Sequence, residues 1–239
     1  MWTYLWIDLG AFAVPFLFSF HPRLRFDRQW HAAWPAILGM MLLFIPWDAW
    51  ATSRGIWGFD PEHLVGPNLL GLPIEEWLFF ICIPYACLFT YHCFNVLGVK
   101  DYLRPYAKGI TRGLIAASVL IAVFFPHQLY TCITFALLAF FLVMVTLWSE
   151  PQWMGRAYFT YVVLLVPFLI VNGLLTGTGM DQSVVWYDEA HILGLRIISI
   201  PVEDVFYGLL MFLLTALIHE ALLARKGKAQ SRPGKQLPR

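Results

Sequence analysis

The sequence predicts an all-α, polytopic membrane protein with seven transmembrane helices. Of its 239 residues, 59% are hydrophobic and only 13% are charged, and the mean hydropathy is +0.66. Apolar runs long enough to cross a bilayer recur along the chain, and the charges cluster in the segments between them. This composition excludes an ordinary soluble domain.

One apolar run is too long for a single span. Gly113–Trp148 carries no formal charge and as one helix would be about 54 Å long, against a hydrocarbon core of about 30 Å. It must fold back, and Pro126–Gln128 in its middle predicts the turn. The spans are Thr3–Phe20, Ala32–Trp47, Glu76–Leu97, the two halves of Gly113–Trp148, Ala157–Leu175 and Val205–Leu223.

A segment of the chain occurs twice. Asp60–Phe80 recurs without a gap as Asp188–Gly208. The aligned identities are Asp60 with Asp188, His63 with His191, Gly66 with Gly194, Pro73 with Pro201 and Glu75 with Glu203, while Glu76 and Asp204 match in charge. Proline and acidic residues favour the first turn of a helix, so the simplest interpretation is a pair of capped membrane helices.

The repeat predicts the domain organisation. Three spans on each side of the fourth span run in the same directions, which predicts two parallel repeats about a pseudo-twofold axis normal to the membrane. A site made from the repeated residues should lie between them. The predicted units are a first three-helix repeat (1–98), a linker loop and helix (99–127), a second three-helix repeat (128–224) and a disordered basic cytoplasmic tail (225–239).

The basic residues predict the orientation of a multi-pass protein in the cell membrane. Nearly all Lys and Arg residues fall in segments on one side of the predicted spans, and only Arg54 and Arg196 lie on the other side. By the positive-inside rule, the N-terminus is outside and the C-terminus is cytoplasmic. Both copies of the repeated motif then lie on the non-cytoplasmic side.

Acidic side chains at membrane depth predict a functional site. Polar groups there are costly, yet one side of the bundle is predicted to hold Asp48, Asn172 and the four acids of the motifs. Because only two basic residues lie on that side, we expect some of these carboxyl groups to be protonated. A neutral carboxylic acid among aromatic rings can protonate an apolar molecule, and the rings can stabilise a carbocation.

The two motifs carry a resemblance to a known family. Pro73-Ile74-Glu75-Glu76 and Pro201-Val202-Glu203-Asp204, each preceded by an aromatic–Asp loop, resemble the carotenoid lycopene cyclase family of the two-subunit bacterial type and its fused archaeal and fungal relatives. The resemblance covers Thr3 to about Leu223. It implies a lycopene β-cyclase, which closes the linear ψ-end groups of lycopene to β-ionone rings in a proton-initiated, redox-neutral reaction that forms β-carotene. Aspartate at position 204 departs from the motif.

The resemblance also implies site residues and partners. Glu75 and Glu203 are expected in acid–base roles, with Glu76 and Asp204 setting their protonation. Further residues expected near the substrate are Asp48, Asn172, His63, His191, Trp77 and Phe79. The expected substrate is an apolar carotenoid drawn from the bilayer, in contact with membrane lipid. No cofactor, metal or nucleic acid is implied, and association with other carotenoid-pathway enzymes is compatible with the family.

The residues present argue against two other classes of membrane protein and leave one alternative open. A retinal-binding protein needs a lysine inside a span, and every lysine lies in a predicted cytoplasmic segment. A prenyltransferase needs Asp-rich motifs that bind magnesium, which the sequence lacks. A proton-coupled transporter or channel that uses the paired carboxylates remains the alternative, because parallel repeats suit it too.

Overall fold

The computed structural model describes residues 2–148 and 152–230. Their α-helices are α1 (Thr3–Phe18), α2 (Trp30–Ser53), α3 (Ile74–Val96), α4 (Ala107–Phe124), α5 (Leu129–Trp148), α6 (Met154–Leu175) and α7 (Val202–Gln230). Short strands occur only in the loops that precede α3 and α7 within these residues. The predicted helical class is therefore confirmed.

Six of these helices are long and apolar enough to cross a membrane, and α1 is a shorter apolar helix. Helix α4 ends at Phe124 and α5 begins at Leu129, which confirms the turn predicted at Pro126–Gln128. Helix α2 extends to Ser53, beyond the predicted end at Trp47, so Asp48 lies inside the helix rather than at its end. The protein is therefore a membrane-embedded helical bundle.

The centre of the bundle is formed by α3 and α7, which contact each other. Helices α2 and α6 each pack against both of them, α1 packs against α3, and α5 packs against α7. Helix α4 packs mainly against α5. Fully buried side chains such as Tyr85, Leu88, Phe212 and Leu213 fill the core between the central helices. The first turns of α3 and α7 are thereby held side by side inside the protein.

The loops before α3 and α7 have the same local structure. The Asp60 carboxylate caps the helical turn Pro61–His63 by accepting a hydrogen bond from the Glu62 backbone N–H at 3.0 Å. The Asp188 carboxylate caps Glu189–His191 in the same way, with the Ala190 N–H at 3.0 Å. Aspartate is among the strongest helix N-caps, which explains the identity of these two positions in the sequence repeat.

The two loops pair with each other through strands β1 (Trp57–Phe59) and β4 (Val185–Tyr187). The strands are antiparallel, and the central Gly58 lies opposite its repeat equivalent, Trp186. The pairing continues beyond the strands, because the N–H of Asp60 donates to the Val184 carbonyl and the N–H of Asp188 donates to the Ile56 carbonyl, both at 2.9 Å. Equivalent residues exchange equivalent bonds, as they do across a twofold axis. We call this end of the bundle the motif end.

A small hairpin leads directly into each central helix. Strands β2 (Asn68–Leu69) and β3 (Leu72–Pro73) precede α3, and β5 (Arg196–Ile197) and β6 (Ile200–Pro201) precede α7. Each turn places a bulky residue in the left-handed region, Leu70 with φ 54° and Ile198 with φ 61°. This conformation is unfavourable for residues with a Cβ and most unfavourable for β-branched ones such as isoleucine.

We expect Ile198→Asn to stabilise the protein. Asparagine tolerates the left-handed conformation, and Ile198 is 76% exposed, so little packing is lost. The expected gain is about 1 kcal/mol, seen as a rise of about 2 °C in the thermal unfolding midpoint in detergent. Leu195→Asn is the matched control, because Leu195 is exposed in the same loop without a positive φ. An equal rise in both variants would point to surface polarity instead of backbone strain.

The start of the C-terminal segment is helical and not disordered as the sequence predicts. Helix α7 continues to Gln230, into the segment 225–239 that the sequence predicts to be disordered. An apolar helix can continue for further turns into a charged segment. Each added turn forms backbone hydrogen bonds, and these do not depend on apolar side chains. The rest of the predicted tail lies outside the described residues.

Candidate active site

A cavity of about 390 Å³ lies inside the bundle at the motif end. Its walls come from α1, α3, α6 and α7, with contributions from α2, α5, β1 and β4. Its size falls within the range of small-molecule sites. The polar groups that line it are Asp48, Glu76, Asn172 and Asp204, together with the hydroxyl groups of Thr90, Tyr4, Tyr130, Tyr161, Tyr187 and Tyr207. None of the described residues that line the cavity is basic.

Aromatic side chains dominate the wall around these polar groups. The faces of aromatic rings carry negative potential and attract cations, most strongly where water is excluded. The aromatic residues are Tyr4, Trp57, Phe59, Phe79, Tyr130, Tyr161, Phe168, Tyr187 and Tyr207. The cavity is thus suited to a ligand that is apolar and passes through a positively charged state.

Two carboxyl groups, Asp48 from α2 and Glu76 from α3, lie close together in the cavity wall, near enough for each to affect the protonation of the other. Asp48 accepts a hydrogen bond from the Trp57 indole N–H at 2.6 Å, and Glu76 accepts one from the Tyr4 hydroxyl at 2.5 Å. Their residues are only 1% and 8% exposed. Two buried carboxylates at close range repel each other when both are ionised, which favours a proton on one of the two groups.

The Asp204 carboxyl group, on the first turn of α7, has a different environment. It accepts hydrogen bonds from the Tyr130 hydroxyl at 2.6 Å, the Asn172 amide at 2.7 Å and the Tyr187 hydroxyl at 2.9 Å. Three donors on one carboxyl group favour its ionised form. Asp204 is therefore arranged as a buried carboxylate with neutral partners.

The two copies of the motif thus build similar frames with different chemistry. A tyrosine from the start of α1 or α5 donates to the second acid of each motif, Tyr4 to Glu76 and Tyr130 to Asp204. The neighbour of this second acid is the acid Asp48 from α2 in the first copy and the amide Asn172 from α6 in the second copy. The first copy can supply a proton, and the second can accept one.

Glu75 and Glu203 do not line the cavity in the described structure, although the sequence assigned them the acid–base roles. Glu75 accepts a hydrogen bond from the Val65 backbone N–H at 2.5 Å. Glu203 accepts one from the Leu193 backbone N–H at 2.7 Å and one from the Thr131 hydroxyl at 2.5 Å. Both are fully buried, and each ties the preceding loop to the start of its helix. Adjacent helical residues point about 100° apart, so the second acid of each motif faces the cavity instead.

The other residues expected near the substrate divide into two groups. Asp48, Asn172 and Phe79 line the cavity. His63 and His191 lie in the loops, where His63 Nδ1 is 3.1 Å from the Thr3 hydroxyl and His191 Nε2 is 3.7 Å from the Asp188 carboxylate.

The Trp77 indole also lies outside the cavity wall, and its N–H donates to the Leu69 carbonyl at 3.1 Å. The basic residues of the motif end are engaged elsewhere as well. The Arg54 guanidinium lies over the Trp50 ring at 5.7 Å, and Arg196 pairs with Glu189 at 2.5 Å. The cavity carboxyl groups are thus held by neutral donors.

Several residues of the cavity were not expected from the sequence. They are Tyr4, Trp57, Tyr130, Tyr187 and Tyr207. The ungapped sequence repeat begins at Asp60 and therefore leaves out the matching tyrosines near the starts of α1 and α5. A tyrosine at the start of each of these helices was the signal that could have identified Tyr4 and Tyr130. Within the described part of the chain, no three His, Cys, Asp or Glu side chains are arranged to hold a metal ion.

The fold and the cavity define a membrane-embedded helical protein with acidic groups buried among aromatic rings. A family model described as lycopene cyclase matches residues 1–94 and 127–222. The chain belongs to the lycopene cyclase family.

Similar proteins in fungi support this assignment. The bifunctional lycopene cyclase/phytoene synthase of Neurospora crassa is 43% identical over 51 residues, which is 21% of this chain and 8% of that protein. Those of Aspergillus niger and Podospora anserina are 29% and 31% identical over 119 and 105 residues, covering 48% and 40% of this chain. The matched parts span only 20% and 17% of those two proteins. No solved structure matches the chain significantly. The transporter or channel hypothesis gains no support from these comparisons.

Proposed function

We propose that this chain is a lycopene β-cyclase that converts the linear ψ-end groups of lycopene to β-ionone rings, forming β-carotene. The observation that carries this proposal is the Asp48–Glu76 carboxyl pair in an aromatic cavity whose described lining contains no basic residue. Membership of the lycopene cyclase family supplies the substrate class. The pair can hold a transferable proton without a cation nearby to remove it.

The first step is protonation of the substrate. The Asp48–Glu76 pair gives its proton to C2 of the terminal C1=C2 double bond, and the positive charge forms at C1. The electrons of the C5=C6 bond then form the C1–C6 bond, which closes a six-membered ring and moves the charge to C5. Aromatic rings such as those of Tyr130, Tyr187 and Tyr207 stabilise the cation through their faces.

The second step is removal of a proton by Asp204. Loss of the C6 proton restores the C5=C6 bond and gives a β-ring, whereas loss of a C4 proton would give an ε-ring. The three donors on Asp204 oppose the effect of its burial and favour its ionised form before the step. Asp204 then releases this proton and the Asp48–Glu76 pair is protonated again by exchange with solvent, so each cycle consumes no net proton. No electrons are gained or lost, so the reaction is redox-neutral.

Glu75 and Glu203 act in this proposal as positioning residues. Each fixes the loop that carries the aromatic residues of β1 or β4 above the cavity, through the backbone N–H of Val65 or Leu193. A buried hydrogen bond to a charged or polar carboxyl group is strong enough to hold such a loop in place.

We also propose the membrane arrangement predicted from the sequence. Helix α1 crosses the membrane together with the six longer apolar helices, which gives seven spans. The repeats 1–98 and 128–224 are parallel three-helix units joined by 99–127. Symmetric pairing of β1 with β4 supports the pseudo-twofold axis. The family match is interrupted at 95–126, the region that contains α4, which supports a linker there. The motif end and the N-terminus are non-cytoplasmic, and the C-terminal segment 225–239 is cytoplasmic.

The proposed partners follow from the same arrangement. The carotenoid substrate enters from the bilayer, lipid surrounds the outer faces of the helices, and other carotenoid-pathway enzymes are candidates for association. The exposed apolar side chains of α4, such as Leu120, Val123 and Phe124, are suited to contact with lipid.

Expression in a lycopene-accumulating host tests the activity. We expect the red pigment to become yellow-orange, with β-carotene identified by chromatography. In D₂O, each new ring should carry one deuterium at C2, because the proton comes from an exchangeable carboxyl group. The control is the double variant Glu76→Gln/Asp204→Asn, inserted at the same level. Unchanged lycopene with the wild-type protein in the membrane would refute the proposed function.

A further inference from the structure

The cavity continues away from the carboxyl groups as a groove along α3. Its floor is formed by Phe79, Ile83, Cys87 and Thr90, which recur every three or four residues and therefore share one face of the helix. From Glu76 to Thr90 this face is about 21 Å long, at a rise of about 1.5 Å per residue. The groove therefore extends from the motif end well into the apolar part of the bundle.

The walls of the groove come from α1 and α6. Gly10, Ala11 and Pro15 line one side, and Leu164, Pro167, Phe168 and Val171 line the other. Gly10 and Pro167 line the cavity and are also exposed on the outer surface of the bundle. Both residues lie within the apolar helices α1 and α6, so the groove opens between these two helices.

Gly10 leaves space at this opening. A Cβ atom added there would have no neighbour within 4 Å. Glycine in the middle of a helix costs about 1 kcal/mol relative to alanine, so its presence here weakens α1 slightly while keeping the opening free.

We propose that the α1–α6 groove is a lateral entry for the substrate, and that it holds the polyene chain while one end group reaches the carboxyl groups. This inference rests on the proposed function. A molecule with an end group at each end of a long rigid chain cannot place both ends in one cavity. The intervening chain must leave the cavity, and the groove is an opening that is continuous with the site and faces the bilayer.

The lining of the groove favours this occupant. Below the carboxyl groups, the floor and walls are apolar except for the hydroxyl groups of Thr90 and Tyr161. Tyr161 donates its hydroxyl hydrogen to the Val205 carbonyl at 2.5 Å and Thr90 donates to the Ala86 carbonyl at 2.9 Å, so both are satisfied within the protein. A conjugated hydrocarbon requires no hydrogen bonds from its surroundings, which matches such a lining.

Enlargement of Gly10 tests the entry. We expect Gly10→Leu to reduce the turnover of lycopene and Gly10→Phe to reduce it on the order of tenfold or more, because the end group no longer reaches the carboxyl groups. Ala13→Leu and Ala13→Phe are the matched controls, since Ala13 is exposed on the same helix and is not among the residues that line the cavity. The controls should stay within about twofold of the wild type.

Chain length distinguishes a blocked groove from a damaged fold. A shortened acyclic analogue with one ψ-end group should retain a larger fraction of its turnover in Gly10→Phe than lycopene does. Wild-type turnover of lycopene in Gly10→Phe, or an equal loss for both substrates, would overturn the inference. Failure of the proposed function would be recognised separately, because the wild-type protein would then cyclise neither substrate.

Cys87 provides a second test that needs no change in the groove. Cys87 lies on the groove floor, whereas Cys93 is also partly buried on the same helix but is not one of the lining residues. In the Glu76→Gln protein, lycopene should slow alkylation of Cys87 by an apolar reagent and leave Cys93 unaffected, as read by peptide mass spectrometry. Equal rates of Cys87 alkylation with and without lycopene would contradict the proposal and would indicate that membrane lipid occupies the groove.

Discussion

Replacement of Glu76 by glutamine should reduce cyclisation by about 10²–10⁴-fold, the usual contribution of a general acid. Glutamine has nearly the same shape and still accepts the hydrogen bond from the Tyr4 hydroxyl. It cannot share a proton with Asp48, so the double bond of the substrate is not protonated. The measurement is β-carotene formed per unit of membrane-inserted protein.

Glu75→Gln is the matched control for this variant. The two residues are adjacent, but Glu75 accepts from the Val65 backbone N–H and does not line the cavity. A glutamine oxygen can accept the same bond, so we expect Glu75→Gln to keep most of its activity. If Glu75→Gln were inactive and Glu76→Gln active, the roles predicted from the sequence would hold and the assignment from geometry would be wrong.

Replacement of Asp204 by asparagine should also reduce cyclisation by about 10²–10⁴-fold, because the group that removes the C6 proton is lost. Asparagine keeps one acceptor oxygen for the Tyr130 hydroxyl but places an amide beside the amide of Asn172. Part of the loss will therefore be reorganisation of the hydrogen bonds around this position.

The control for Asp204 is Glu203→Gln on the same turn of α7. A glutamine there still accepts from the Leu193 N–H and the Thr131 hydroxyl. We expect the Glu203→Gln protein to insert and to retain activity well above that of Asp204→Asn. An equal loss of activity in the two variants, or wild-type activity in Asp204→Asn, would contradict the assignment of Asp204 as the base.

The sequence was sufficient for the helices and for the two equivalent loops that precede α3 and α7. Hydropathy defined the apolar helices, and the charge-free length of Gly113–Trp148 required the turn that separates α4 from α5. The aligned aspartates Asp60 and Asp188 correctly indicated two equivalent loops, since both cap a short helical turn.

The direction of the motif side chains could not be predicted in the same way. Glu75 and Glu76 are both acidic, both buried and both in the first turn of α3. Their different environments depend on which face of α3 meets α1 and α6, and this is decided by packing between distant segments. An apolar helix that is buried on several sides has little periodicity to reveal that face.

The hydrogen-bond partners of the acids were hidden for a related reason. Tyr4 reaches Glu76 and Tyr130 reaches Asp204 from helices far away in the sequence. A tyrosine near a helix start is common in membrane proteins at the bilayer interface. Only the folded arrangement distinguishes these two from ordinary interfacial residues.

Both halves of the chain contribute to one chamber, with Glu76 from the first and Asp204 from the second. A symmetric substrate with two identical termini must therefore be turned round between its two reactions. On the proposed function, the monocyclic carotenoid is released into the lipid and has to be captured again. The ratio of monocyclic to bicyclic pigment should then follow competition between fresh substrate and this half-finished product.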